Sequence, residues 1–219
     1  MVSGSNKARA PRQTSELSEQ LITAAMELAA EGGFEHVRQR DVAARAGVTL
    51  RTLYKRFGSK DELLAAGMSR MAEQLERRLL RKPIVGDTPE ERLGQLFETI
   101  TRTLCAKPPL ARTIVRVMSS GVPEVASQVV AYQERMHAMV FSALRGEPLA
   151  VASSAKASEP EQGLVFMLLQ VWFAALVGWS AGLASVGSVI AQMDRAIRVI
   201  SRGFAEEGQS ARRVLNDSQ

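Results

Sequence analysis

The chain has 219 residues, 46% of them apolar and 5% aromatic, enough to bury a core in one or two soluble domains. Its formal charge of +5 sits mainly in residues 1–60, where ten Lys and Arg stand against six Asp and Glu, so a polyanionic partner is predicted for that part alone. A single cysteine, Cys105, excludes an intramolecular disulfide and fits a reducing cytoplasm, and with only two histidines beside it no zinc-ligand set is available.

Residues 1–14 carry Lys7, Arg9 and Arg12 among small polar residues and Pro11, and read as a flexible basic arm without the apolar segment of a secretory signal. From Ser15 the period turns helical: Leu17, Leu21, Ile22, Ala25 and Leu28 recur at three- and four-residue steps, and Gly32-Gly33 supply the stop. A second helix is predicted over 39–46 with Val42 and Ala43 inward, then a turn at Gly47. The third runs over 49–57, capped by Thr49, with Leu53 and Phe57 inward. Ser59 and Glu62 form a capping box for a fourth helix that reaches residue 81. Thr88-Pro89-Glu90-Glu91 starts a fifth, Pro108-Pro109 a shorter sixth to about residue 120, and Val122 a seventh closed by Gly146. Residues 147–157 read as an Ala/Ser-rich loop. Ser158 with Glu161 caps a helix to about residue 182, and a last helix covers 186–205. Residues 163–190 contain no charge, long enough to raise a membrane span, but Gln170, Ser180, Ser185 and Ser188 dilute them and a buried helix is predicted, with no membrane. No alternating strand pattern occurs, so the fold class is all-α: an N-terminal three-helix helix-turn-helix domain followed by a bundle of about six longer helices.

Residues 36–60 hold seven Lys and Arg against one acid, Asp41. Two short helices around Ala46-Gly47-Val48, the second basic and rich in hydroxyls, predict a reader that enters a DNA groove; the competing reading is a solvated basic face. With Leu53 and Phe57 inward, Thr49, Leu50, Arg51, Thr52, Tyr54 and Lys55 point outward or sideways. Arg51 and Lys55 share a face. Arg51 has the fork that binds guanine O6 and N7, a contact worth about 1–3 kcal/mol of discrimination. Arg38, Arg40 and Lys60 are candidates for phosphate contacts, the last beside a helix N-terminus. Arg45 and Arg56 fit surface or intramolecular pairs. One such reader spans too few base pairs for specificity, which predicts a dimer on a palindrome with half-sites about 34–36 Å apart or at a longer spacing set by the dimer. Leu168, Trp172, Ala175 and Trp179 on the penultimate helix, with Met193, Ile197 and Ile200 on the last, are predicted to form the interface. The penultimate helix is apolar nearly all round, so one face would meet the bundle and the other a second copy.

Ala46-Gly47-Val48-Thr49, Thr52-Leu53-Tyr54, Phe57 and Lys60-Asp61-Glu62-Leu63, with Gly32-Gly33-Phe34 and Asp41-Val42-Ala43 around them, resemble the TetR-family helix-turn-helix over about residues 15–64. Arg51 departs from the pattern, since the family usually has glycine there. Thr88-Pro89 with Arg92-Leu93, Pro109-Leu110, Gly146-Glu147-Pro148, Val171-Trp172-Phe173 and Trp179 are similar to the mycobacterial cholesterol-catabolism repressor subgroup. The resemblance implies a dimeric regulator, usually a repressor, whose Tyr54 contacts phosphate. It implies this organisation: arm 1–14, DNA-binding domain 15–60, effector-binding and dimerisation domain 61–205, flexible tail 206–219.

Phe97, Ile100, Thr101, Leu104, Met118, Tyr132, Met136, Met139, Val140, Phe166, Gln170 and Phe173 read from their spacing as helical core; the resemblance implies that they line an effector pocket, and the subgroup implies a sterol-derived or acyl-CoA effector, with Arg102, Lys107, Arg112 and Arg116 available to its phosphates. The alternative is a filled core and control by a protein partner. An enzyme has little support, because no Cys-x-x-Cys, His-Glu-x-x-His, Gly-x-Ser-x-Gly or phosphate loop occurs, and no cofactor, metal or catalytic residue is predicted.

Overall fold

The computed structural model describes the backbone of residues 9–152 and 157–216 and the side chains of 15–152 and 157–204. Ten α-helices occur among the described residues: α1 (Arg9–Gly32), α2 (Gln39–Arg45), α3 (Leu50–Tyr54), α4 (Lys60–Arg81), α5 (Pro89–Cys105), α6 (Pro108–Met118), α7 (Ala126–Arg145), α8 (Leu149–Ala152), α9 (Glu159–Ser180) and α10 (Val186–Asn216). Single 3-10 turns at Phe34–His36 and Pro123–Val125 precede α2 and α7. The chain is all-α, as predicted.

The helix boundaries follow from local chemistry. Thr88 and Ser158 each close a full capping box, with Glu91 and Glu161 returning to the cap backbone. Such caps satisfy amide groups that the first turn leaves orphaned, and each hydroxyl is worth about 1 kcal/mol. At α4 the box is modified: Ser59 accepts from the Glu62 amide, but the Glu62 carboxylate reaches one residue further back, to the Gly58 amide at 2.7 Å. Gly33 and Gly47 take φ of +76° and +67°, the left-handed conformation that ends α1 and turns α2 into α3. Three expectations change. The arm is helical from Arg9 on, its residues 1–8 lying outside the described residues, and the tail is helical to Asn216. Both segments carry helix formers and no interior proline beyond the first turn, so each flanking helix continues. The loop over 147–157 contains the short helix α8, because Leu149 and Ala152 bury one side of a turn; residues 153–156 lie outside the described residues.

By packing, the chain divides into two compact units, residues 1–71 with 107–132, and 72–106 with 133–219, whereas the sequence suggested a division after residue 60. In the first unit α1 packs on α2 and α6, and α2 on α3. Leu21, Ala25, Val42, Leu53, Leu63, Leu64 and Met68 form its core. Gly67 lets α4 lie close to α1, since a Cβ there would overlap the Met26 sulfur. In the second unit α10 packs on α5 and α9 around Leu93, Phe97, Ile100, Val140, Leu164, Leu168, Trp172, Val189 and Met193. Arg92 ties off three carbonyl groups there, donating to Gly86, Ala143 and Leu144 at 2.7–3.0 Å. The uncharged helix α9 is long and apolar enough to cross a membrane by length and composition, but it buries one face (Leu164, Val165, Leu168, Trp172, Ala175, Leu176 and Trp179) inside its unit.

Candidate nucleic-acid interface

Helix α3 is only five residues long, and its seating dictates what it presents. Leu53 and Phe57 are buried, which fixes the helix on the unit core. Leu50, Arg51, Tyr54, Lys55 and Arg56 then stand in solvent, with Tyr54 half exposed although aromatic. Thr49 caps the helix through the Thr52 amide, and the Thr49 and Thr52 hydroxyls bond each other at 2.8 Å. Their remaining capacity faces outward beside Arg51. Arg38 and Arg40 are exposed at the start of α2. Among the described residues, none of Arg38, Arg40, Arg51, Lys55 and Arg56 is held by a carboxylate. Five unpaired cations around one exposed short helix form a surface suited to a phosphate backbone.

Other cations of the same unit are already engaged. Arg45 holds Glu31 through both carboxylate oxygens, at 2.5 and 3.0 Å, the intramolecular pairing expected of it. That bond keeps the Glu31 carboxyl below, and the Arg45 guanidinium above, their ordinary ranges. Lys60 departs from expectation. Its ammonium donates to the Phe34 carbonyl at 3.2 Å and lies 3.7 Å from the Phe34 ring centroid. Arg116, from α6, lies 3.8 Å from the same centroid and bonds Glu35 at 2.7 Å. Two cations so close to one centroid must take opposite faces of the ring. Lys60 is thus a part-buried anchor of the turn before α2, and Arg116 fastens α6 to that turn. No spacing signal reveals this, because Arg116 and Glu35 are 81 residues apart.

The residues expected to line a pocket are divided. Met118 and Tyr132 belong to the first unit and the rest to the second. Phe97, Ile100, Thr101, Tyr132, Met136, Met139 and Val140 are buried, and Leu104, Met118 and Phe173 are half-buried. The Thr101 hydroxyl accepts from the Trp172 indole at 2.9 Å, and Phe97 tilts against the same indole, so Thr101 serves the core rather than a ligand. Burial pushes the Tyr132 phenol far above its ordinary range and the Cys105 thiol up to about 11, leaving that thiol unreactive. Phe166 and Gln170 are exposed and line no interior space. A cavity of about 220 Å³ does occur in the second unit, lined by Leu79, Pro83, Ile84, Val85, Leu96, Met139, Ser142, Ala143, Gly146, Glu147, Pro148 and Leu149. Met139 is the one residue common to that wall and to the expected set.

The expected interface residues are corrected in the same way. Leu168, Trp172, Ala175, Trp179, Met193 and Ile197 are buried inside their own unit, and Ile200 is half-buried. The outward face of α9 carries Phe166, Met167, Gln170, Ala174 and Val177 instead. Because α9 is apolar all round, its periodicity could not say which stripe faces in.

Two family models match the chain: "Bacterial regulatory proteins, tetR family" over residues 21–66 and "Tetracyclin repressor-like, C-terminal domain" over residues 86–200. The chain is 28% identical over 186 residues to the HTH-type transcriptional repressor KstR of Mycobacterium tuberculosis, covering 84% of this chain and 80% of that one. Its fold is similar to a TetR transcriptional regulator from Rhodococcus sp. RHA1, with a TM-score of 0.73 and 22% identity over 86% of this chain and 96% of that one. It is also similar to Thermus thermophilus FadR, a TetR-family repressor solved in complex with lauroyl-CoA, with a TM-score of 0.64 and 19% identity over 85% and 94% of the two chains.

Proposed function

Since the chain belongs to the TetR family of bacterial regulators and is not an enzyme, we propose that it is a cytoplasmic, ligand-responsive repressor that binds a palindromic operator as a homodimer. The observation that carries this reading is the set of unpaired cations and the exposed Tyr54 around α3. Arg51 reads a base edge; Leu50 and Thr52 meet a thymine methyl or phosphate; Tyr54, Lys55, Arg38 and Arg40 hold the backbone and set the register.

The dimer face is the outward stripe of α9. Phe166 and Met167 are 54% and 47% exposed with no charged residue among their neighbours on that face. Aromatic and methionine side chains left in water favour a self-complementary contact about a two-fold axis. The effector is a lipophilic thioester, acyl or sterol-derived; the lauroyl-CoA bound by a protein of the same fold supports that chemistry. Ligand must bind better to the state whose reading helices are misplaced for the operator, since equal affinity for both states shifts nothing. Helix α4, continuous from the reader into the second unit, is the lever.

Footprinting on the gene's own upstream region tests the reading. A protected palindrome that is released on adding a CoA thioester is the expected result. Protection without symmetry would overturn the dimer, and protection indifferent to every thioester would favour control by a protein partner. The commitment of the buried Thr101 hydroxyl to Trp172 rather than to a ligand is the observation that keeps this second reading in view.

A further inference from the structure

Between Thr49 and Lys60 the chain holds no Asp, Glu, Asn or Gln. That composition limits which bases α3 can recognise. In the major groove guanine shows a pair of acceptors, O6 and N7, and thymine an acceptor beside a methyl group. Adenine shows an acceptor beside a donor, which the amide of Asn or Gln matches, and cytosine a donor, which a carboxylate matches. Neither matching group occurs on the reading helix.

The side chains that could fill this gap stand on α2, and neither is placed to do so. Gln39 is the only amide in residues 36–60, and its Nε2 is buried without a hydrogen-bond partner, so the amide is turned into the protein. Asp41, the only acid there, is half-buried on the same helix, where its charge favours the Arg45 guanidinium. The first helix of such a motif crosses the DNA backbone, and the N-terminal residues of the second meet base edges.

On α3 those residues are Leu50, Arg51 and Thr52. Arg51 is exposed and meets no carboxylate among the described residues, so both arms of its fork remain for a pair of acceptors. Leu50 is 37% exposed, a branched apolar group held in water. Thr52 discriminates little. Its hydroxyl and that of Thr49 spend one proton on the 2.8 Å bond between them, and a hydroxyl serves any base as donor or acceptor. Lys55 closes the opposite end of the helix, with Arg56 beyond it.

We propose that α3 is a guanine and thymine reader: Arg51 takes O6 and N7 of one guanine in each half-site, and Leu50 packs on the methyl group of a neighbouring thymine. Adenine and cytosine are specified only as the partners of these two bases. The proposal rests on the reading above that α3 enters the groove, and it narrows an unnamed base edge to two.

Selection of the full chain against a random duplex library supplies the probe, and the enriched half-site should contain an invariant G·C pair. Its guanine is then replaced in both half-sites by 7-deazaguanine, which lacks N7, or by inosine, which keeps O6 and N7 and lacks the minor-groove amino group. In fluorescence anisotropy, 7-deazaguanine should weaken binding about fivefold or more and inosine less than twofold. Arg51→Ala should bind the selected duplex about tenfold more weakly, and its 7-deazaguanine penalty should vanish. Uracil in place of the neighbouring thymine removes one methyl group and should cost about fourfold, a penalty that Leu50→Ser should abolish. A 7-deazaguanine penalty that persists in Arg51→Ala would give the guanine to another cation and overturn the assignment. A penalty as large with inosine, or an enriched sequence without an invariant guanine, would overturn it as well, and an indifferent uracil would remove the Leu50 contact. Each of these results leaves DNA binding by α3 standing. If no duplex is enriched, that reading falls and this one with it.

Discussion

Replacing Phe34 by leucine isolates the contribution of one ring to the DNA-reading unit. Leucine keeps most of the apolar bulk but has no π face, so Lys60 at 3.7 Å and Arg116 at 3.8 Å each lose a cation–π partner. Arg116 is 56% exposed at its side chain, which places its contact at the weak end, about 0.5–1 kcal/mol; Lys60 is part-buried and contributes about as much or slightly more. The two losses together come to about 1–2 kcal/mol. For a chain of this size each kcal/mol moves the melting temperature by about 2–4 °C, so thermal unfolding followed by circular dichroism should shift down by about 2–8 °C. A double-mutant cycle of Phe34→Leu with Arg116→Met separates the ring contact from the Arg116–Glu35 ion pair, and about 0.5–1 kcal/mol of coupling is expected. A shift below 1 °C, or a cycle with zero coupling, would refute the assignment of Lys60 and Arg116 as anchors of the turn before α2.

Four further outcomes follow from the same geometry. Tyr54→Ala should weaken binding to all operator variants alike, whereas Arg51→Ala should mainly change which sequence is preferred; equal losses across an operator library for both would remove the distinction. Trp172→Phe leaves the fully buried Thr101 hydroxyl unpaired and should cost about 1–3 kcal/mol in urea unfolding, an effect that Thr101→Val in the same chain should partly relieve. Gly67→Ala forces a Cβ onto the Met26 sulfur, and its destabilisation should shrink when Met26→Ala is added; an undiminished loss would place the strain elsewhere. The Arg145 bond holds the Glu161 carboxyl down at about 2 from an ordinary 4.5. A carboxyl with a depressed value stabilises the fold above its unfolded value and loses that contribution as pH falls, here between about 4.5 and 2, so Glu161→Gln should flatten the acid limb of stability in that window.

The local signals in the chain were sufficient for most boundaries. Thr88-Pro89-Glu90-Glu91 and Ser158 with Glu161 announced their helices because a cap is a contact over three residues, and the structure forms both boxes. The glycine turns at residues 33 and 47 and the inward pair Leu53 and Phe57 were equally legible, and with them the outward set on α3. What was hidden depends on contacts between distant residues. Lys60 looked like a free cation beside a helix start, yet its partner is Phe34, 26 residues away. Helix α9 cannot be phased from sequence, since a helix without a polar face gives periodicity nothing to lock onto; in the structure Phe166 and Gln170 turn outward and Leu168 and Trp172 inward. The cavity wall comes largely from the segment after α4 and the turn after α7, which have no periodicity to read.

The discontinuity of the first unit bears on the order in which the chain can fold during synthesis. Helix α6 packs on α1 and reaches the turn before α2 through Arg116, so the unit that carries α3 includes residues 107–132. N-terminal domains usually fold first as a chain emerges from the ribosome. Here the N-terminal segment must wait, with the α6-facing side of α1 uncovered, until all of α5 and α6 have been made. A fragment that stops after α4 would carry the same exposed surface permanently, and a chimera that transplants the reader needs α6 as well as the helix-turn-helix.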